Sequence, residues 1–138
     1  MASVQFFSEK VVFKLPSQRK TANWLKKVIE SEGCLQGEIN FIFCSDSYLL
    51  KINKEYLNHN TLTDIITFDY SEGELIQGDI FISIHRVKEN AKIFDVSVDS
   101  ELHRVMVHGV LHLLGYKDKS ASQKATMRRK EDAYLSLR

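Results

Sequence analysis

Cysteine clusters, membrane-length apolar runs and a charge excess of either sign are all missing from this chain, and each absence removes a class of protein. The two cysteines, Cys34 and Cys44, form no CxxC pair or longer cluster. They read as buried thiols rather than a disulfide, which suits a reducing cytosol. No apolar run approaches the ~20 residues of a membrane span. Met1-Ala2-Ser3-Val4-Gln5 lacks the charged start of a secretory signal. The expectation is a cytoplasmic protein with no membrane partner. Lysine and arginine number 19 against 18 acids, a formal net charge of +1, which argues against bulk electrostatic attraction to nucleic acid. There is no internal repeat, low-complexity tract or linker, so residues 1–138 read as one domain long enough to bury a core.

What is present is uneven charge and clear periodicity. Lys10, Lys14, Arg19, Lys20, Lys26 and Lys27 form one basic cluster, and Lys117, Lys119, Lys124, Arg128, Arg129 and Lys130 form another. Either alone reads as a solvated helix face. The second follows the candidate site described below and is therefore kept as a candidate RNA contact.

Val4 to Leu15 alternates as one or two short strand pieces. Pro16-Ser17 opens a helix to about Glu32, stopped by Gly33, with Ala22, Leu25, Val28 and Ile29 inward. Glu38 to Cys44 reads as a strand with Ile39, Phe41 and Phe43 on one face. Ser45 caps a helix to about Tyr56, with Tyr48, Leu49, Ile52 and Tyr56 as its buried stripe. A polar connector, Leu57 to Thr63, leads to strands at Asp64 to Tyr70 and Gly78 to Ser83, which should pair. Helices follow over His85 to Phe94, Val98 to Leu114, and from the capping box Ser120/Gln123 towards Leu137. The sum is an α+β domain of about four strands and five helices over one small mixed sheet.

The helix ending at Leu114 carries the chemistry. Leu102, Val105, Met106, Gly109, Val110 and Leu113 mark one apolar face. His108 and His112 stand one turn apart on a shared face, with Cβ atoms about 5–6 Å from each other, so two imidazoles can meet one small cation. Asp118 is the nearest third ligand, yet on a straight helix it would lie about 15 Å along the axis from His108. Gly115 supplies the bend, because glycine tolerates the left-handed conformation that ends helices. Three protein ligands leave a fourth position open for water, the arrangement of catalytic rather than structural sites. The plainer alternative is a pair of hydrogen-bonded helix histidines.

The spacing matches the metalloprotease pattern H-E-x-x-H-x-x-G-x-x-H, a zincin signature, in every gap. Gly109 stands where that pattern has its glutamate base, and Asp118 where it has its third histidine. Glycine has no proton acceptor on its side chain, so peptide hydrolysis is a poor expectation.

The stretch His108 to Asp118, HGVLHLLGYKD, resembles the H-G-x-L-H-L-x-G-Y-D-H signature of the YbeY family of bacterial endoribonucleases. Upstream, Ile52-Asn53-Lys54-Glu55-Tyr56, Thr63-Asp64-Ile65-Ile66-Thr67-Phe68 and Gly78-Asp79-Ile80-Phe81-Ile82-Ser83 resemble the family's L-N-x-x-Y, T-D-V-L-S-F and G-D-I-x-I-S, in its order and spacing. The resemblance implies the same α+β, zincin-like fold with the metal helix central. It also implies a metal-dependent, single-strand-specific endoribonuclease acting in ribosomal RNA maturation, including processing of the 3′ end of 16S ribosomal RNA and ribosome quality control. One zinc ion per chain on His108, His112 and Asp118 is expected, with association with the small ribosomal subunit.

Two positions depart from the family. Asp118 replaces its third histidine, and Leu57 replaces an arginine thought to act on the phosphate. Lys54 or His59 is the expected substitute, and His59 is the candidate catalytic residue. Asp64 and Asp79 read as turn or hydrogen-bonding residues, and His85 and His103 as structural. The rival expectation is a non-catalytic, metal-stabilised binding factor of the ribosome.

Overall fold

The structure, a computed structural model, describes residues 3–57 and 63–138. Its elements run β1 (Val4–Glu9), α1 (Gln18–Ser31), β2 (Leu35–Cys44), α2 (Asp46–Leu57), β3 (Ile65–Asp69), β4 (Leu75–Ser83), α3 (Ile84–Ile93), α4 (Val98–Leu113) and α5 (Ala121–Leu135). Five helices lie on one four-stranded mixed sheet of order β1-β2-β4-β3, the α+β class expected from the sequence. β1 and β4 run parallel to β2, whereas β3 and β4 form an antiparallel hairpin. Parallel neighbours need a crossover, and α1 supplies it between β1 and β2.

Period-two alternation decides which face each strand buries. Ile39, Phe41 and Phe43 of β2 join Ile76, Ile80 and Ile82 of β4 in the main core, under α1 and α4. The opposite face carries a smaller cluster, Cys44, Leu49, Ile52 and Ile66, covered by α2. α4 is buried almost all round, because α1, α3, α5 and the sheet pack against it. At Gly109 an added Cβ would lie 2.9 Å from Ile65 Cδ1 and 3.0 Å from Ile80 Cγ2. The position of the peptidase glutamate therefore faces the sheet here, where no acid fits. No helix among the described residues is long and apolar enough to cross a membrane.

Of the one or two strand pieces expected over Val4 to Leu15, one forms, β1: Lys10 turns the chain at φ 63°, and Phe13 folds edge-on against Phe43 at 5.0 Å. Three local expectations are corrected. β2 starts at Leu35 rather than Glu38, with its pairing to β4 irregular between Gln36 and Ile39. Tyr56 is 67% exposed instead of buried. α2 turns Leu49, Ile52 and Asn53 inward, so the stripe's last member rotates to solvent. In α1 Thr21 is buried and Ala22 only half-buried; Trp24 lies in the core, as its place as a core or rim residue rather than a base-stacking platform suggests, and its Nε1 donates to the Tyr134 carbonyl at 2.8 Å.

Candidate metal centre

α4 begins with Ser97 accepting from the Ser100 backbone N–H and ends in a two-bond glycine cap. Gly115, at φ 102°, donates to the His112 carbonyl, and Tyr116 donates to the Leu111 carbonyl, both at 3.0 Å. This pattern reverses the chain after a helix. The reversal brings Asp118 Oδ2 to 3.2 Å from His108 Nε2 and 3.4 Å from His112 Nε2. The two Nε2 atoms are 3.0 Å apart. Three ligand atoms about 2.1 Å from a tetrahedral ion would be separated by about 3.4 Å, so the donors already stand near ligand spacing.

The other ring nitrogens decide what the cluster can hold. His112 Nδ1 lies 3.0 Å from the Tyr116 carbonyl oxygen, which can only accept, so this nitrogen carries the proton. His108 Nδ1 donates likewise to Glu131 Oε2 at 2.6 Å. A neutral imidazole has one N–H, so both Nε2 atoms present lone pairs to each other and to a carboxylate. Three acceptors converge with no donor between them, which is unfavourable unless a proton or a cation sits among them. Burial alone would lower the pKa of His108. The hydrogen bond to Glu131 and the charges of Glu131, Asp118 and Asp64 outweigh it and raise it above the ordinary value. The set His108, His112 and Asp118 could therefore hold a metal ion, and His₂–carboxylate is a donor set that zinc accepts.

A cavity of about 640 Å³ opens beside this cluster, lined on α4 by Glu101, Arg104, Val105 and His108. Asp64 lines it too, accepting from Asn90 Nδ2 at 3.4 Å, with burial raising its carboxyl pKa. Its sequence context suggests only a turn residue. Asp79 lies apart, accepting from Asn40 Nδ2 at 3.0 Å. His85 accepts from the Asp46 backbone N–H at 3.3 Å, and buried His103 pairs with the Asp99 carbonyl at 2.7 Å. Lys54 and Leu57 sit on α2 and, among the described residues, do not line the cavity. His59 lies outside the described residues.

A family model described as Endoribonuclease YbeY matches residues 4–137. An Endoribonuclease YbeY of Flavobacterium psychrophilum is 55% identical over 131 residues, covering 95% of this chain and 94% of that protein. One from Cytophaga hutchinsonii is 50% identical over 137 residues, covering 99% and 96%. This chain belongs to the YbeY family. The solution structure of a Thermotoga maritima protein shares the fold, with a TM-score of 0.69 at 24% identity over 96% of this chain and 87% of that one.

Asp118 reaches both histidines although it is an acid, whereas Leu57, exposed at the end of α2, is not among the described residues that line the cavity. Sequence reasoning missed Glu131 altogether. It is 5% exposed, holds His108 Nδ1, and accepts from Arg104 Nη1 at 2.9 Å. Arg104 also donates to Asp132 at 2.7 Å. A readable signal existed: Glu131 falls between Met127 and Tyr134 on the buried stripe of α5, where an unpaired acid is rarely tolerated. Metal-bound histidines commonly give their second nitrogen to such a carboxylate.

The loop carrying Asp118 is pinned from the far side by Glu32, at the end of α1. Tyr116 Oη donates to Glu32 Oε1 at 2.6 Å, Lys130 Nζ to Oε2 at 3.0 Å, and Tyr134 Oη also donates to Oε2. Burial opposes the Glu32 charge, but the bonds from Tyr116, Tyr134 and Lys130 outweigh it and lower the pKa. A depressed carboxyl pKa stabilises the fold above the ordinary carboxylate range, and this contribution fades as pH falls through the folded value. Glu32→Gln should therefore lower stability by about 2 kcal/mol at neutral pH. Urea unfolding across a pH series should show the gap to wild type closing in acid. A gap that stays constant down to full acid unfolding would remove this role of the Glu32 charge.

Proposed function

We propose that this chain is a metal-dependent endoribonuclease, specific for single-stranded RNA, that acts in ribosomal RNA maturation in the cytoplasm. The observation that carries the reading is the convergence of His108 Nε2, His112 Nε2 and Asp118 Oδ2, three acceptors with no donor among them, in a chain of the YbeY family. Zinc is the proposed ion, one per chain, with the 3′ end of 16S ribosomal RNA as the substrate region and small-subunit proteins as partners. His59 remains the candidate catalytic residue on the connector into β3.

His108, His112 and Asp118 would hold the zinc ion, which would supply Lewis acidity towards water and offset charge on phosphoryl oxygens. The chain's own part is orientation. Glu131 and the Tyr116 carbonyl fix both histidine tautomers so that each Nε2 faces inward, and Arg104 holds Glu131 in place. Nothing at Gly109 can act as a peptidase base, so phosphodiester hydrolysis fits the site better than peptide hydrolysis.

The test is chelation and return. Protein purified without chelators should hold about one zinc per chain by elemental analysis. Stripping the metal should abolish cleavage of a single-stranded oligoribonucleotide, and zinc should restore it. Cleavage that persists in the stripped protein removes the metal from the mechanism. Bound zinc without any cleavage favours the binding-factor reading, towards which the exposed Leu57 already points.

A further inference from the structure

α5 presents one face to the cavity: Lys124, Met127, Arg128 and Glu131, at helical spacing. Met127 and Glu131 are buried and engaged, the first in the core and the second with His108 and Arg104. Lys124 and Arg128 differ. Both are exposed, both line the same cavity as His108 and Asp118, and among the described residues neither side chain enters an ion pair or hydrogen bond. The neighbouring cations are taken: Arg104 holds Glu131 and Asp132, and Lys130 holds Glu32. So of the basic residues crowded after His112, two keep their charge available at the mouth of the site.

We propose that Lys124 and Arg128 form the phosphate-binding arm of this site, holding backbone phosphates of single-stranded RNA against the α5 wall beside the metal cluster. This rests on reading the cavity as the place of RNA cleavage. Guanidinium suits the assignment because its planar fork meets a phosphate through two parallel bonds, while the lysine ammonium serves as a mobile point charge. One helical turn separates the two, about 6 Å along the axis, which lets them take neighbouring phosphates.

The opposing wall is acidic, with Asp64 and the 5% exposed Glu101, so a polyanion entering the cavity needs cations on the other side. Burial raises the pKa of both acids, and on Glu101 the charges of Arg104 and of Arg128 itself oppose that rise. Neither α2 residue serves as a phosphate clamp at this cavity, since Leu57 carries no charge and neither it nor Lys54 is among the described lining residues.

The experiment is fluorescence anisotropy of a short fluorescein-labelled 2′-O-methyl oligouridylate, checked intact by gel. Affinity is titrated against salt for the wild-type holoprotein, Lys124→Ala, Arg128→Ala, the double variant, Arg128→Lys, and Lys26→Ala as an exposed control on α1. Circular dichroism confirms folding. Removing one phosphate-binding cation should flatten the log–log salt slope by about 0.7, so the double variant should lose about twice that. Arg128→Ala should weaken binding about tenfold. Arg128→Lys should keep the slope but recover only part of the affinity, and Lys26→Ala should match wild type. Unchanged slope and affinity in the double variant, while wild type binds and cleaves, overturn the arm and leave the cleavage reading standing. Equal losses in Lys26→Ala reduce the effect to net charge and also overturn it. A wild-type protein that binds no RNA overturns the cleavage reading and the arm together.

Discussion

Replacing His112 with alanine should drop bound metal from about one ion per chain to near zero and abolish cleavage of single-stranded RNA. The geometry explains why one residue suffices. Without His112 the remaining pair, His108 Nε2 and Asp118 Oδ2 at 3.2 Å, offers two protein ligands, fewer than the three that catalytic zinc sites use. The substitution should leave the fold standing, because the His112 side chain is 26% exposed, its contacts with His108 and Asp118 bring together acceptors only, and the Tyr116 carbonyl can bind water instead. Metal content, circular dichroism and cleavage measured on the same preparation separate the outcomes. A folded variant that retains its full complement of metal would sink the ligand assignment. One that loses its metal and still cleaves would place the chemistry elsewhere.

The second large effect is expected at Glu131, which lies outside the cluster of possible ligands and bonds to His108 Nδ1 instead. In Glu131→Gln the amide oxygen can still accept from Arg104, and that turns the NH₂ group towards His108 Nδ1. Two donors then face each other at what is now a 2.6 Å hydrogen bond. The imidazole escapes by moving its proton to Nε2, the atom that should carry a lone pair towards the metal. Zinc affinity, read by competition with a chromophoric chelator, should fall by about 10–100-fold. Stability should fall by about 1–3 kcal/mol, since a buried charged acceptor is lost and Arg104 keeps Asp132 as its one ion-pair partner among the described residues. The affinity loss is the decisive readout, because a purely structural role would lower the melting temperature and leave metal binding intact. Wild-type zinc affinity in Glu131→Gln would end the argument for an orienting carboxylate.

Lys130 shows how far a local reading reaches. In sequence it belongs to the basic run that follows His112, which suggests a contact with RNA. In the fold its ammonium is tied to Glu32 and lies over the rings of Tyr116 and Tyr134. Its neighbours Lys124 and Arg128 look the same in sequence and differ only in what α5 turns towards the cavity. Tyr56 teaches the same lesson on α2, where helical spacing placed it on the buried stripe and packing left it in solvent.

The sequence alone determined the features whose physics is local. His108 and His112 share a face because four residues make about one helical turn, and Gly115 ends α4 because it can take a positive φ at little cost. Alternation and capping residues marked most strands and helices, and Ser120 with Gln123 forms the capping box that the spacing implied. The rest was decided by groups far apart in the chain. Glu131 meets His108 because α5 folds back along α4, and Glu32 meets Tyr116 across 84 positions. Asp64 reaches the cavity only once β3 has taken its place at the edge of the sheet. No periodicity encodes such meetings, because they depend on how whole elements pack, and packing is settled by the burial of the core they share.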